Sequence, residues 1–138
     1  MKRRDGRILA IQFLYKRDIQ PDVDLNTALT DFWVLTEKSE PLRKFAESLI
    51  RGVLERRQVL DEMIQRYVQN WDLERTGIVD RNILRLALYE MHFNEDIPPI
   101  SAINEAIEIA KTMGTQETSR FVNGILDRAK QDLKRSLR

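Results

Sequence analysis

The sequence predicts an all-α protein, a compact bundle of about seven short helices. Three observations lead there. Apolar residues recur at steps of three and four along most of the chain, and no stretch shows the period of two that a half-buried strand needs. Glycine (5) and proline (4) are scarce in 138 residues, too few for a many-turned β-sandwich. The prolines fall at the edges of the apolar blocks, where they punctuate helices without interrupting them. With 42% hydrophobic and 33% charged residues, the chain has material for one core and a strongly hydrated exterior, at the size of one ordinary domain.

The elements follow in order. Ile8, Ile11, Leu14 and Tyr15 share one face of a first helix, and Arg3 and Arg7, four residues apart, share a side. Pro21-Asp22-Val23-Asp24 ends that helix, and Asp24 can cap a second with Leu25, Ala28, Leu29, Phe32 and Trp33 as its stripe. Ser39-Glu40-Pro41 starts a third, proline being tolerated in a first turn because its missing N–H has no partner there. Leu42, Phe45, Ala46, Leu49, Ile50 and Val53 form its apolar face. Gly52 inside it weakens the helix by about 1 kcal/mol relative to alanine, which points to close packing or a nearby break.

Leu60, Met63, Ile64, Tyr67 and Val68 make a fourth stripe, ending before Trp71. After a turn at Thr76-Gly77, apolar residues from Ile83 to Met91 cover too much of the circumference for a surface helix, so this one is central. Pro98-Pro99 stops it. Ser101 is placed to cap a sixth helix carrying Ala102, Ile103, Ala106, Ile107 and Ala110, closed by Gly114 at the C′ position. Phe121, Val122, Ile125, Leu126 and Ala129 mark the seventh. Asn104 and Asn123 fall within apolar patterns, where an unsatisfied buried amide costs ~1–3 kcal/mol; helix–helix hydrogen bonds are expected for them. Gly124, in mid-helix, implies the approach of another backbone.

Charge is segregated. Residues 1–17 carry six basic groups against Asp5, a net +5; residues 128–138 carry five against Asp132, a net +4; the stretch between carries 12 basic and 20 acidic groups, a net −8. Basic ends on an acidic body fit a polyanion at one surface and a basic partner at another, and equally a solvated surface with frayed tails. The two ends differ. Lysine and arginine near a helix C-terminus complement its dipole, whereas Arg3, Arg4 and Arg7 precede or open a helix, where positive charge opposes it. Local stability does not select them there.

The inventory for catalysis is thin. There is no cysteine and a single histidine, His92, so thiolate chemistry and multi-histidine metal sites are excluded. The scattered glycines write neither a P-loop nor a dinucleotide fingerprint. Glu105 and Glu108 read as solvated charges. No apolar run approaches the ~20 residues that span a bilayer, and the basic start MKRRDGR leads into no long apolar segment or cleavage site. A cytoplasmic protein, not membrane-bound and not an enzyme, is expected. Arginines can contact phosphates through charge and forked hydrogen bonds. Tyr15 and Tyr67 either offer stacking faces to unpaired bases or belong to the core with their hydroxyls at the rim.

Three blocks carry a family resemblance: Asp80-Arg81 with Ile83 to Glu90, Ile103-Asn104-Glu105-Ala106 with Ile109-Ala110-Lys111, and Phe121 to Asp127. Together with Arg7, Ala10, Gln12, Leu14 and Tyr15 they resemble the NusB family of bacterial transcription antitermination factors, over almost the whole chain. The resemblance implies a single NusB-like RNA-binding domain of two small helical subdomains, about 1–56 and 57–138. It implies a factor that binds boxA-type RNA together with the ribosomal protein NusE and helps RNA polymerase read through terminators, with no catalysis, metal or cofactor. Residue by residue, the family's arginine-rich motif falls on Lys2, Arg3, Arg4 and Arg7, interrupted here by Asp5 and Gly6. Tyr67, Glu117 and Arg120 match positions around the RNA-binding face, Glu117 as a tuning residue, with Phe121 at its border. Tyr15 and Asp80 match the NusE-binding surface. The alternative is a homodimeric helical protein–protein scaffold without direct RNA contact.

Overall fold

The computed structural model describes residues 2–68 and 76–138; Trp71, before which the fourth stripe is expected to end, lies outside the described residues. Among these residues there are seven α-helices and no strand, as the periodicity requires. They are α1 (Arg3–Ile19), α2 (Leu25–Thr36), α3 (Glu40–Glu55), α4 (Arg57–Tyr67), α5 (Ile78–Phe93), α6 (Pro99–Met113) and α7 (Gln116–Lys130). The chain divides into two compact units, Met1–Arg51 and Gly52–Arg138. The division falls inside α3.

The first unit is built on the aromatic residues of α1 and α2. Phe13 meets Phe32 edge-on at 5.4 Å, and Phe32 meets Trp33 at 5.0 Å, the geometry that ring quadrupoles favour. Trp33 Nε1 donates to Glu47 Oε1 at 3.0 Å and so ties α2 to α3. Asp24 caps α2 as expected, its carboxylate accepting from the Thr27 N–H at 3.1 Å. Gly6 has a steric purpose: a Cβ there would fall 2.5 Å from the Phe45 ring, so only glycine lets α3 bring that ring against the start of α1.

In the second unit α5 packs against α4, α6 and α7 and buries Ile83, Leu84, Leu86, Ala87, Leu88 and Met91, the residues whose spread predicts a central helix. Each full burial of such a side chain contributes ~1.5–3 kcal/mol. Charge is buried with them. Arg85, 3% exposed, donates through Nε and Nη2 to the two carboxylate oxygens of Asp61 at 2.6 and 3.0 Å, and through Nη1 to Asn82 Oδ1 at 3.0 Å. The forked pair joins α4 to α5. Gly52 is explained by close packing: a Cβ there would overlap the Tyr89 ring.

The C-terminal segment is also tied down. Arg135 donates through Nη1 to the carbonyls of Glu90, Met91 and Asn94, and through Nη2 to those of Glu95 and Ile97. These include carbonyls at the end of α5 that lack intrahelical partners. The basic tail complements a helix C-terminus, that of α5 as well as its own.

Four expectations are corrected. Ser101 does not cap α6: the helix begins at Pro99, with Pro98 at the N-cap and no side-chain cap, because Pro99 already supplies a first residue that needs no N–H partner. Gly114 occupies the C-cap in extended conformation (φ −124°, ψ −159°), not left-handed; a Cβ there would lie 2.5 Å from the Thr118 side chain. Asn104 and Asn123 are exposed, so no buried amide has to be satisfied. Gly124 has no heavy atom within 4 Å of where its Cβ would stand, so no second backbone approaches it.

Candidate nucleic-acid interface

In the first unit the basic cluster occupies the N-cap and first turns of α1. Lys2 is the N-cap and donates no side-chain cap; Lys2, Arg3 and Arg4 are exposed. Positive charge at a helix N-terminus costs ~0.3–1 kcal/mol per group, partly offset by Asp5 in the same turn. Arg3 and Arg7 do share a side, since both guanidiniums lie over the Phe45 ring, at 5.4 and 5.7 Å from its centre. Their burial differs. Arg7 is only 5% exposed, so it anchors the cluster to α3 and leaves Lys2, Arg3 and Arg4 to meet solvent. Tyr15 lies further along α1 and is 39% exposed.

In the second unit Asp80 and Glu117 come together. They line one recess of about 300 Å³ with Thr76, Thr118 and Phe121, at the N-terminal ends of α5 and α7. Gly77 is the N-cap of α5. Thr115 caps α7, its hydroxyl accepting from the Thr118 N–H at 3.3 Å while Thr118 Oγ1 accepts from the Thr115 N–H at 3.1 Å. Asp80 is half-buried. Loss of hydration raises its carboxyl above the ordinary value, and a hydrogen bond from Thr118 opposes that rise. Glu117 is exposed in the first turn of α7, where its charge suits the dipole. Arg120 is exposed one turn on.

Tyr67 stands elsewhere in this unit. It is 7% exposed, and its hydroxyl donates to Asp132 Oδ2 at 2.6 Å. Burial first, then that bond and the charge of Asp132, push the phenol up to about 12. It therefore stays protonated and offers no open ring face to a base; of the two readings of this tyrosine, the core with its hydroxyl at the rim is the one found. Phe121 is half-buried and lines the recess, a position the helical stripe alone does not reveal. Among the described residues, no group of three or more His, Cys, Asp or Glu is placed to hold a metal, and no helix is long and apolar enough to cross a membrane.

Cationic side chains displayed against a helix dipole, and a carboxylate-lined recess on a separate helical unit, are the candidate binding features of this all-α protein. Comparison with known proteins gives the family. The sequence profile of the NusB family matches residues 4–131. The transcription antitermination protein NusB of Bacillus thuringiensis (strain Al Hakam) is 45% identical over 133 residues, 96% of this chain and all of that protein, and NusB of Bacillus anthracis matches to the same extent. The solved structure of T. maritima NusB superposes with a TM-score of 0.86 at 39% identity, covering 98% of this chain and 94% of that one. A structure of antitermination factors NusB and NusE in complex with dsRNA shares the fold, with a TM-score of 0.83 at 22% identity over 94% and 96% of the two chains.

The chain belongs to the NusB family. It is a transcription antitermination factor of that family.

Proposed function

We propose that the chain binds boxA-type RNA together with the ribosomal protein NusE, and that this complex joins the antitermination assembly through which RNA polymerase reads past terminators, notably in ribosomal RNA transcription. The observation that carries the reading is the exposed cluster Lys2, Arg3 and Arg4 on the first turn of α1. Its positive charge works against the helix it sits on, which a phosphate ligand would reverse. The relative described with NusE and dsRNA supports the same pairing.

In this reading Lys2, Arg3, Arg4 and Arg120 contact phosphates. Arg7 supports the α1 cluster from beneath, and Tyr67, buried with its hydroxyl on Asp132, acts through the packing of its own unit. Glu117 tunes affinity by like-charge repulsion. Tyr15, by its exposed ring, and Asp80, by its carboxylate, take the basic partner protein. The chain acts as one RNA-binding domain with subdomains of about 1–56 and 57–138, in the cytoplasm.

Fluorescence anisotropy of a labelled boxA-type RNA tests it. Titration of the chain with NusE present should give tighter binding than without NusE, and tighter than for a scrambled RNA of equal length. Equal affinity for both RNAs in the presence of NusE would remove the boxA assignment.

A further inference from the structure

The second unit holds another concavity, apart from the Asp80–Glu117 recess. It is a cavity of about 930 Å³ formed by the ends of α4 and α5 and the segment that follows α7. Its walls are fixed. The Tyr67 hydroxyl is held by Asp132, and Arg128 donates to the Tyr67 carbonyl at 2.6 Å. Arg135 is occupied with the five carbonyls named above.

Two features of the lining serve no packing need. The Nε2 atom of His92 is buried yet has no hydrogen-bond partner among the described residues, an arrangement that costs free energy unless something supplies one. Arg66 and Lys134 stand exposed on the rim. The apolar part of the wall comes from Met63 and from Phe93, whose ring already carries the Arg56 guanidinium at 4.9 Å. The volume is within the ~300–1,000 Å³ of small-molecule sites and far exceeds what a lone oxyanion fills.

We propose that this cavity binds a nucleotide, its phosphate held by Arg66, Lys134 and the N–H of His92 Nε2, and its flat base laid against Met63 and Phe93. The charged groups that line the cavity with the imidazole are Arg66 from α4, Glu95 from the α5–α6 connection, and Asp132, Lys134 and Arg135 from the C-terminal segment. They are three cations against two carboxylates, and Asp132 is already engaged by Tyr67. Burial holds the imidazole below its ordinary value; the charge of Arg66 lowers it further, Asp132 opposes this, and Arg135 adds to the lowering. A phosphate in contact would pull the value up. The nucleotide is either free or one unit of an RNA strand.

His92 is the sole histidine in the sequence, so every imidazole signal reports on this cavity. The full chain, labelled with nitrogen-15, is titrated by NMR with AMP, with inorganic phosphate and with a short single-stranded RNA. AMP or the RNA should shift the His92 resonances saturably and raise their titration midpoint by about one pH unit. The variant Arg66→Gln with Lys134→Gln, two exposed positions, should abolish both effects while its amide spectrum stays folded. A response to AMP and not to RNA assigns a free nucleotide; a response to RNA assigns a strand. Silence towards both overturns the proposal, as does a response to AMP no larger than that to inorganic phosphate. RNA that binds the chain while His92 answers neither AMP nor RNA refutes the cavity and spares the proposed RNA binding. An AMP response in a chain that binds no RNA does the reverse.

Discussion

Replacing Lys2, Arg3 and Arg4 together by glutamine should weaken RNA binding in a way that burial has already apportioned. All three are exposed, whereas Arg7 is 5% exposed and stacked on Phe45. Each cation that neutralises one phosphate of a single strand contributes about 0.7 to the slope of log affinity against log salt. Three of them make about 2. Between about 50 and 200 mM salt those contacts account for a roughly 20-fold loss of affinity that the triple variant should no longer show. Arg7→Gln should leave the slope alone and instead lower stability by about 1–2 kcal/mol, through lost stacking and stem packing. Anisotropy of a labelled boxA-type RNA with NusE, repeated at four salt concentrations, gives the slopes, and denaturant titration gives the stabilities. An unchanged slope in the triple variant, or an equal fall in Arg7→Gln, would refute the division of labour along α1.

Asp61→Ala removes the carboxylate partner of the buried Arg85 guanidinium and should cost ~3–5 kcal/mol by urea unfolding; a loss under 1 kcal/mol would show that water reaches the site. Two glycines on helices should respond with opposite signs. Gly52→Ala collides with Tyr89 and should destabilise by ~1–3 kcal/mol, while Gly124→Ala meets open space and should stabilise by ~0.5–1 kcal/mol, both read from unfolding midpoints. Asp80 ionises at a higher pH when folded than when unfolded, so its charge costs stability at neutral pH, and the cost vanishes as pH falls below the unfolded value of 3.8. Asp80→Asn should therefore raise Tm at pH 7 and lose that gain at pH 3; a lowered Tm at pH 7 would mean that the Thr118 bond outweighs desolvation.

Helices were readable from the chain because burial imposes a period, and the period survives in a single sequence. The central place of α5 followed from apolar residues around its whole circumference, and the Asp24 cap followed from local chemistry. A local pattern misleads where it has two physical causes. Asn104 and Asn123 sit beside buried positions in sequence but on the solvent side of their helices. In sequence Gly124 is indistinguishable from Gly52 and Gly6, which do make a close approach, since a missing Cβ looks the same in both cases. At the candidate site, charge and the helix dipole singled out Lys2, Arg3 and Arg4, but nothing local distinguishes Arg7, whose burial depends on Phe45 some forty residues away. The recess that unites Asp80, Glu117 and Phe121, and the clasp of Arg135 on α5, are products of tertiary folding. No spacing along the chain encodes them visibly.

Sedimentation velocity of the chain mixed with NusE and a boxA-type RNA bears most directly on the adaptor assignment. One boundary containing all three components, at a mass exceeding that of either pair, is the expected result. A tight homodimer that sediments unchanged whether or not RNA and NusE are present would contradict it and favour the scaffold.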